Sequence, residues 1–153
     1  MQTDELTYGA APEVVAELVS LAWTTFIGDE LGQVDQMAST KDVMCSSISI
    51  SGPWSATFLL FCAVGVANAS TASVLGMSLD EVEEPDVLDI MGELANIIGG
   101  NLKGAVSDDN TTWKLSLPVV SKGMQTVPGS KLTTELGFMG PHGMIGCQLR
   151  EHA

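Results

Sequence analysis

Hydrophobic residues recur at intervals of three and four in two long stretches of the chain, and this period predicts two amphipathic helices. The first stretch covers residues 12–27 and ends at Gly28. The second leads to Gly104, with Pro85 in its first turn and Lys103 in its last, as helix geometry and the helix dipole favour. The apolar face of this second helix comprises Val87, Met91, Leu94, Ile98 and Leu102.

Strand-like runs and turn residues occupy most of the remaining chain. Residues 43–51 and 54–62 flank a Gly52-Pro53 turn and predict a hairpin. Residues 132–138 and 144–149 predict a second hairpin, with residues 140–143 as its turn.

Two shorter segments complete the predicted elements. Residues 64–75 are small and weakly helical in pattern. Residues 112–117 alternate, which predicts a half-buried strand with Trp113, Leu115 and Leu117 on one side. We therefore expect an α+β fold, a mostly antiparallel sheet of five or six strands packed with two long helices. The length of 153 residues fits a single domain spanning residues 1–153.

A weak internal duplication relates the two long helices. Asp89, Glu93 and Asn96 form a polar stripe opposite the apolar face of the second helix. The first helix has Glu13, Glu17 and Ser20 at the same spacing, about half the chain earlier. Coincidence between two amphipathic helices would also give this pattern. Only the second copy pairs a carboxylate with a carboxamide.

The charge balance narrows the possible partners. Six Lys and Arg residues oppose 19 Asp and Glu residues, a formal net charge of -13. This charge argues against nucleic acid and anionic lipid as partners, whereas a basic protein surface would be attracted. Solubility alone is the other explanation of the acidity.

Cysteine and histidine usage indicates neither disulfides nor a metal site. Cys45, Cys62 and Cys147 are odd in number and lack a CxxC pair, which fits a reducing, cytoplasmic compartment. His142 and His152 lack the spacing of metal ligands. The acidic N-terminus does not read as a signal peptide, and the uncharged residues 43–79 are interrupted too often to form a membrane span.

The polar stripe resembles a family signature. Asp89, Glu93 and Asn96, followed by Pro118, are similar to the motif of the CheC/CheX/FliY chemotaxis phosphatases. The spacer of 21 residues between Asn96 and Pro118 is one shorter than usual. Residues 51–61 and 74–104 look like the CheX branch, which the single intact motif also favours, and the resemblance covers residues 12–149.

The resemblance implies a phosphatase that hydrolyses the aspartyl phosphate of a CheY-like receiver domain and so ends a chemotaxis or two-component signal. Asn96 would orient the attacking water, and Glu93 would pair with the partner's lysine. Asp89 would flank that contact, while Gly99 and Gly100 would either give the partner clearance or pack the helix. The chain would bind no cofactor, since Mg²⁺ would be held by the receiver.

The sequence is also compatible with two alternatives to an enzyme. A non-catalytic module could bind a receiver domain or a flagellar-switch component through the same helix, keeping Glu93 without needing the carboxamide. A structural subunit would need neither residue. An exposed sheet edge could also pair with a second copy and form a homodimer.

Overall fold

The computed structural model describes residues 11–107 and 112–152. In these residues the helices are α1 (Pro12–Ala22), α2 (Val64–Leu75) and α3 (Glu84–Val106). The strands are β1 (Gly32–Val34), β2 (Val43–Ser51), β3 (Ala56–Ala63), β4 (Lys114–Leu115), β5 (Val119–Lys122), β6 (Ser130–Gly140) and β7 (Gly143–His152).

All seven strands belong to one antiparallel sheet, which confirms the predicted α+β class. The strand order is β1-β6-β7-β3-β2-β4, and β5 pairs with β2 beside β4. Both predicted hairpins are present, as β2–β3 and β6–β7, and β3 pairs with β7 at the centre of the sheet.

The topology repeats in the two halves of the chain. In each half a long helix is followed by a short edge strand and then by a hairpin. The edge strand of each half pairs with the hairpin of the other half, because β1 pairs with β6 and β5 pairs with β2. This exchange gives the sheet an approximate twofold relation, which agrees with the predicted duplication of α1 and α3.

The main core lies between the helices and one face of the sheet. The apolar side of α3 packs with alternate residues of β2, among them Met44, Ile48 and Ile50. A smaller cluster occupies the other face, where Val43, Cys45, Leu59 and Phe61 are covered by Ala38, Met124 and Val127.

The first helix continues beyond α1 as predicted, but with wider turns. Residues Trp23–Ile27 form a π-helical segment, and Gly28 ends it with a backbone φ of 96° that glycine adopts readily. None of the helices described here is both long and apolar enough to cross a membrane.

The strand predicted over residues 112–117 is wrong in its extent. Only Lys114–Leu115 pair as β4, and the chain leaves the sheet before returning as β5. Trp113 is buried and Leu115 half-buried, but Leu117 is exposed instead of continuing the buried side. The sequence pattern missed β1 and β5, because strands of three and four residues are too short to show a period.

Candidate functional site

The predicted polar stripe lies on the solvent side of α3. Asp89, Glu93 and Asn96 are all exposed, while the five residues of the predicted apolar face are buried. The helix begins with a reciprocal cap in which the backbone N–H of Glu83 donates to Asp86 Oδ2 at 3.0 Å. This capped helix therefore presents the stripe at a regular helical spacing.

An open groove of about 350 Å³ runs along this stripe, and we call it the Asn96 groove. Its helix side is formed by one face of α3, and its other side by the segment that joins β4 to β5. The lining residues are Leu88, Asp89, Gly92, Glu93, Asn96, Leu117, Pro118 and Val120.

The segment after β4 packs against α3 at Gly92. A methyl group added at Gly92 would lie 3.5 Å from Val120 Cγ2 and 3.8 Å from Pro118 Cγ, which is ordinary van der Waals contact. Pro118, which completes the family-like motif, thus packs beside the helix one turn before Asn96. The motif residues are brought together in space although Pro118 is distant in sequence.

The polar groups of the groove have no partner within the described part of the chain. Among residues 11–107 and 112–152, the side chains of Asp89, Glu93 and Asn96 make no hydrogen bond or salt bridge. All three residues are exposed, so a molecule that enters the groove can reach their polar atoms. A carboxamide can accept a hydrogen bond from water and donate one to an anionic oxygen, and a carboxylate can pair with a cation.

The two glycines after the stripe occupy different positions. Gly99 is buried, and an added methyl group there would lie 2.7 Å from Ile48 Cγ2 and 3.2 Å from Leu115 Cδ1. Gly99 therefore packs α3 against the sheet, which is one of the two roles expected for it. Gly100 is exposed with open space around it, so its predicted contact with a partner is sterically possible.

The first copy of the pattern, on α1, is less accessible to a partner than the copy on α3. Glu13 and Glu17 are exposed on α1, but Ser20 is only partly exposed. A short hydroxyl at this position reaches less far than the carboxamide of Asn96. Only the copy on α3 has both the carboxylate and the carboxamide available to a large partner.

Four residues of the groove were not identified from the sequence, namely Leu88, Gly92, Leu117 and Val120. Leu88 and Gly92 precede Asn96 at intervals of four, so helical spacing could have placed them on the same face. Leu117 gave no such signal, because its alternation with Trp113 and Leu115 predicted burial. The described residues contain no group of three or more His, Cys, Asp or Glu side chains arranged to hold a metal ion.

Comparison with known families gives a match over most of the chain. Residues 44–134 match the family model described as chemotaxis phosphatase CheX. The matched range includes α3 and all the residues of the Asn96 groove. None of the curated proteins compared with this chain matches it at the level of sequence.

Several solved structures share the fold at low sequence identity. A chemotaxis protein CheX from Desulfovibrio desulfuricans is 19% identical with a TM-score of 0.73, covering 90% of this chain and 96% of that one. CheX from Vibrio vulnificus is 17% identical with a TM-score of 0.73, covering 90% and 93%. A CheX–CheY–BeF₃–Mg²⁺ complex from Borrelia burgdorferi is 15% identical with a TM-score of 0.71, covering 91% and 96%.

Proposed function

This chain belongs to the CheX family of chemotaxis phosphatases, and we propose that it hydrolyses the aspartyl phosphate of a CheY-like receiver domain. The observation that carries the proposal is the Asn96 groove, where Glu93 and Asn96 are exposed and unpaired among the described residues. These two side chains lie at the spacing of the family motif on a capped helix. Such a site is suited to entering the active site of another protein.

The reaction requires little chemistry from this chain. Water attacks the phosphorus, the acyl P–O bond breaks, and the products are inorganic phosphate and the free aspartate of the receiver. The partner would supply the Mg²⁺ and a lysine, so this chain needs only to position the water and to dock. The Borrelia burgdorferi complex, named for CheX, CheY, BeF₃ and Mg²⁺, supports a CheY-like partner.

Each polar residue of the groove has a separate task in this proposal. The amide of Asn96 accepts a hydrogen bond from the attacking water and donates to a phosphoryl oxygen. Glu93, one helical turn earlier, pairs with the partner's lysine and fixes the approach. Asp89 flanks that contact, and Gly100 gives the partner's surface room beside the helix.

Three further parts of the proposal concern the charge of the partner, the cellular compartment and the oligomeric state. The net charge of -13 favours a partner with a basic surface beside its phosphorylation site. We place the reaction in the cytoplasm, where receiver domains act. Pairing of an exposed sheet edge would make a homodimer, and a monomeric mass in light scattering at micromolar concentration would contradict that part.

The test is the loss of phosphate from a panel of phosphorylated receiver domains of the same genome. Wild-type protein should accelerate hydrolysis of at least one receiver. Asn96→Ala should lower that rate by about 10² to 10³, equivalent to roughly 2.7 to 4 kcal/mol of barrier, because the water loses its orienting group. Glu93→Ala should mainly weaken binding of the receiver.

Asn101→Ala is the matched control, since Asn101 is also an exposed asparagine of α3 but does not line the Asn96 groove. It should leave the rate unchanged. Circular dichroism of each variant checks that it is folded. Unchanged hydrolysis by folded Asn96→Ala would overturn the catalytic assignment, whereas binding of a receiver without any acceleration would indicate a non-catalytic module.

A further inference from the structure

Leu117 is the most exposed large hydrophobic residue in the described part of the chain. Its exposed fraction is 86%, whereas Leu88 on the opposite side of the Asn96 groove is 37% exposed. Exposing a leucine to water is unfavourable, and single exposed leucines are common on protein surfaces. The position of this one, at the rim of the groove, distinguishes it from the others.

The backbone on both sides of Leu117 is held in place. Ser116 N donates to Ser49 O at 2.8 Å, and Ser49 N donates to Ser116 Oγ at 2.9 Å. Ser116 Oγ in turn donates to the carbonyl oxygen of Leu117 at 2.9 Å. On the other side, Pro118 packs beside Gly92, and Val119 pairs with Ser47 in the sheet.

This anchoring makes the leucine a pre-organised contact. A residue on a mobile loop loses conformational entropy when a partner immobilises it, and that loss weakens binding. Leu117 avoids most of this loss because its backbone is already fixed. Its side chain therefore projects into solvent at a defined place beside Glu93 and Asn96.

We propose that Leu117 is the apolar docking residue for the receiver domain, with Leu88 completing the contact across the groove. The proposal rests on the proposed function and adds to it the part of the surface that holds the partner. It requires the receiver to present an apolar recess beside its acyl phosphate and lysine. Catalysis stays with Asn96, while Leu117 adds to the affinity that Glu93 provides.

The position and charge of the groove favour a receiver domain as the molecule that binds there. An acyl phosphate is attached to the partner's surface, so bringing it to Asn96 also brings the surrounding surface onto the rim where Leu117 lies. A second copy of this chain fits less well. A twofold contact across the groove would place Asp89 and Glu93 near the same residues of the copy, and like charges repel.

The experiment compares Leu117→Ser with Leu21→Ser, a matched control on α1 whose leucine is 56% exposed. Binding is measured by calorimetry with receiver domains of the same genome, loaded with Mg²⁺ and beryllofluoride. Leu117→Ser should raise the Kd about tenfold or more, since burial of a leucine is lost. Leu117→Met should restore most of the affinity, and Leu21→Ser should change nothing.

Turnover of the phosphorylated receiver gives the second readout. Leu117→Ser should raise KM by the same factor with kcat within about twofold of wild type, unlike Asn96→Ala, which should lower kcat. If wild-type protein binds a receiver but does not accelerate hydrolysis, the phosphatase proposal fails while the Kd comparison still decides the docking proposal.

Three results of the binding experiment would overturn the docking role. The Kd of Leu117→Ser could equal that of wild type, or Leu21→Ser could weaken binding equally, or no loaded receiver could bind the wild-type protein. Light scattering of Leu117→Ser tests the alternative that a second copy of this chain covers Leu117. Loss of a dimer present in wild type would assign Leu117 to contact between two copies and would also overturn the proposal.

Discussion

Adjacent glycines in α3 meet opposite surroundings. Gly99 faces the sheet, where Ile48 and Leu115 leave no room for a side chain. Gly100 faces solvent, with no atom near an added methyl group. Glycine therefore allows close packing at position 99 and leaves an open surface at position 100.

Gly99→Ala should therefore lower the free energy of unfolding, while Gly100→Ala should raise it. The first change forces Ile48 or the helix to shift, at a cost of about 1 to 3 kcal/mol. The second removes glycine's extra entropy from an exposed helix position and should add about 0.5 to 1 kcal/mol. Urea unfolding of both variants measures the difference, and equal stabilities would contradict the packing assigned to Gly99.

The segment that joins β4 to β5 is the element that builds one side of the Asn96 groove. It is short, and it keeps its place through the hydrogen bonds of Ser116 to β2 and through the contact of Pro118 with α3. Strand β2 thus contributes buried side chains to the core under α3 and backbone hydrogen bonds to the rim of the groove.

Ser116→Ala should loosen this segment. Ser49 N loses its acceptor, so the free energy of unfolding should fall by about 1 kcal/mol and hydrogen exchange at the Ser49 amide should become faster. Ser121→Ala on β5 is the control, because the Ser121 hydroxyl donates instead to Gly123 O at 3.2 Å. Equal exchange at Ser49 in both variants would exclude the anchoring role of Ser116.

At the scale of the whole molecule, the burial of cysteine thiols makes the stability of the fold depend on pH. Cys45, Cys62 and Cys147 are free and buried. Burial raises the pKa of Cys62 and of Cys147 from 9.0 to about 12, because the thiolate loses its hydration. Both thiols therefore remain protonated in the folded chain at pH values where an unfolded chain would lose those protons.

Stability should fall as the pH rises from about 9 to about 12. In that window the unfolded state binds fewer protons than the folded state, so each thiol lowers the free energy of unfolding by up to about 1.4 kcal/mol per pH unit. Below pH 9 both states are protonated and the thiols have no effect. Denaturant unfolding at several pH values measures the slope.

The double variant Cys62→Ala, Cys147→Ala provides the comparison for this slope. All other ionisable groups are common to both proteins. The difference in slope between the double variant and wild type isolates the thiols. The same slope in both would show that these thiols do not control alkaline stability.

The amino-acid sequence determined the elements whose signals are local. The helical period defined both faces of α3, alternation and turn residues defined the two hairpins, and the spacing of Glu93 and Asn96 indicated the family. These features depend on neighbours within one or two turns or across one tight turn, so a single segment contains all the information.

Only the tertiary structure decided which residues complete the site. The short strands β1 and β5 exist because each pairs with a hairpin from the other half of the chain, and no local period records such pairing. Pairing of β4 and β5 with β2 brings Pro118 beside Gly92, places Leu115 against Gly99 and leaves Leu117 in solvent. Burial depends on which distant segment covers a residue, and for this reason the alternation around Leu117 predicted the wrong side.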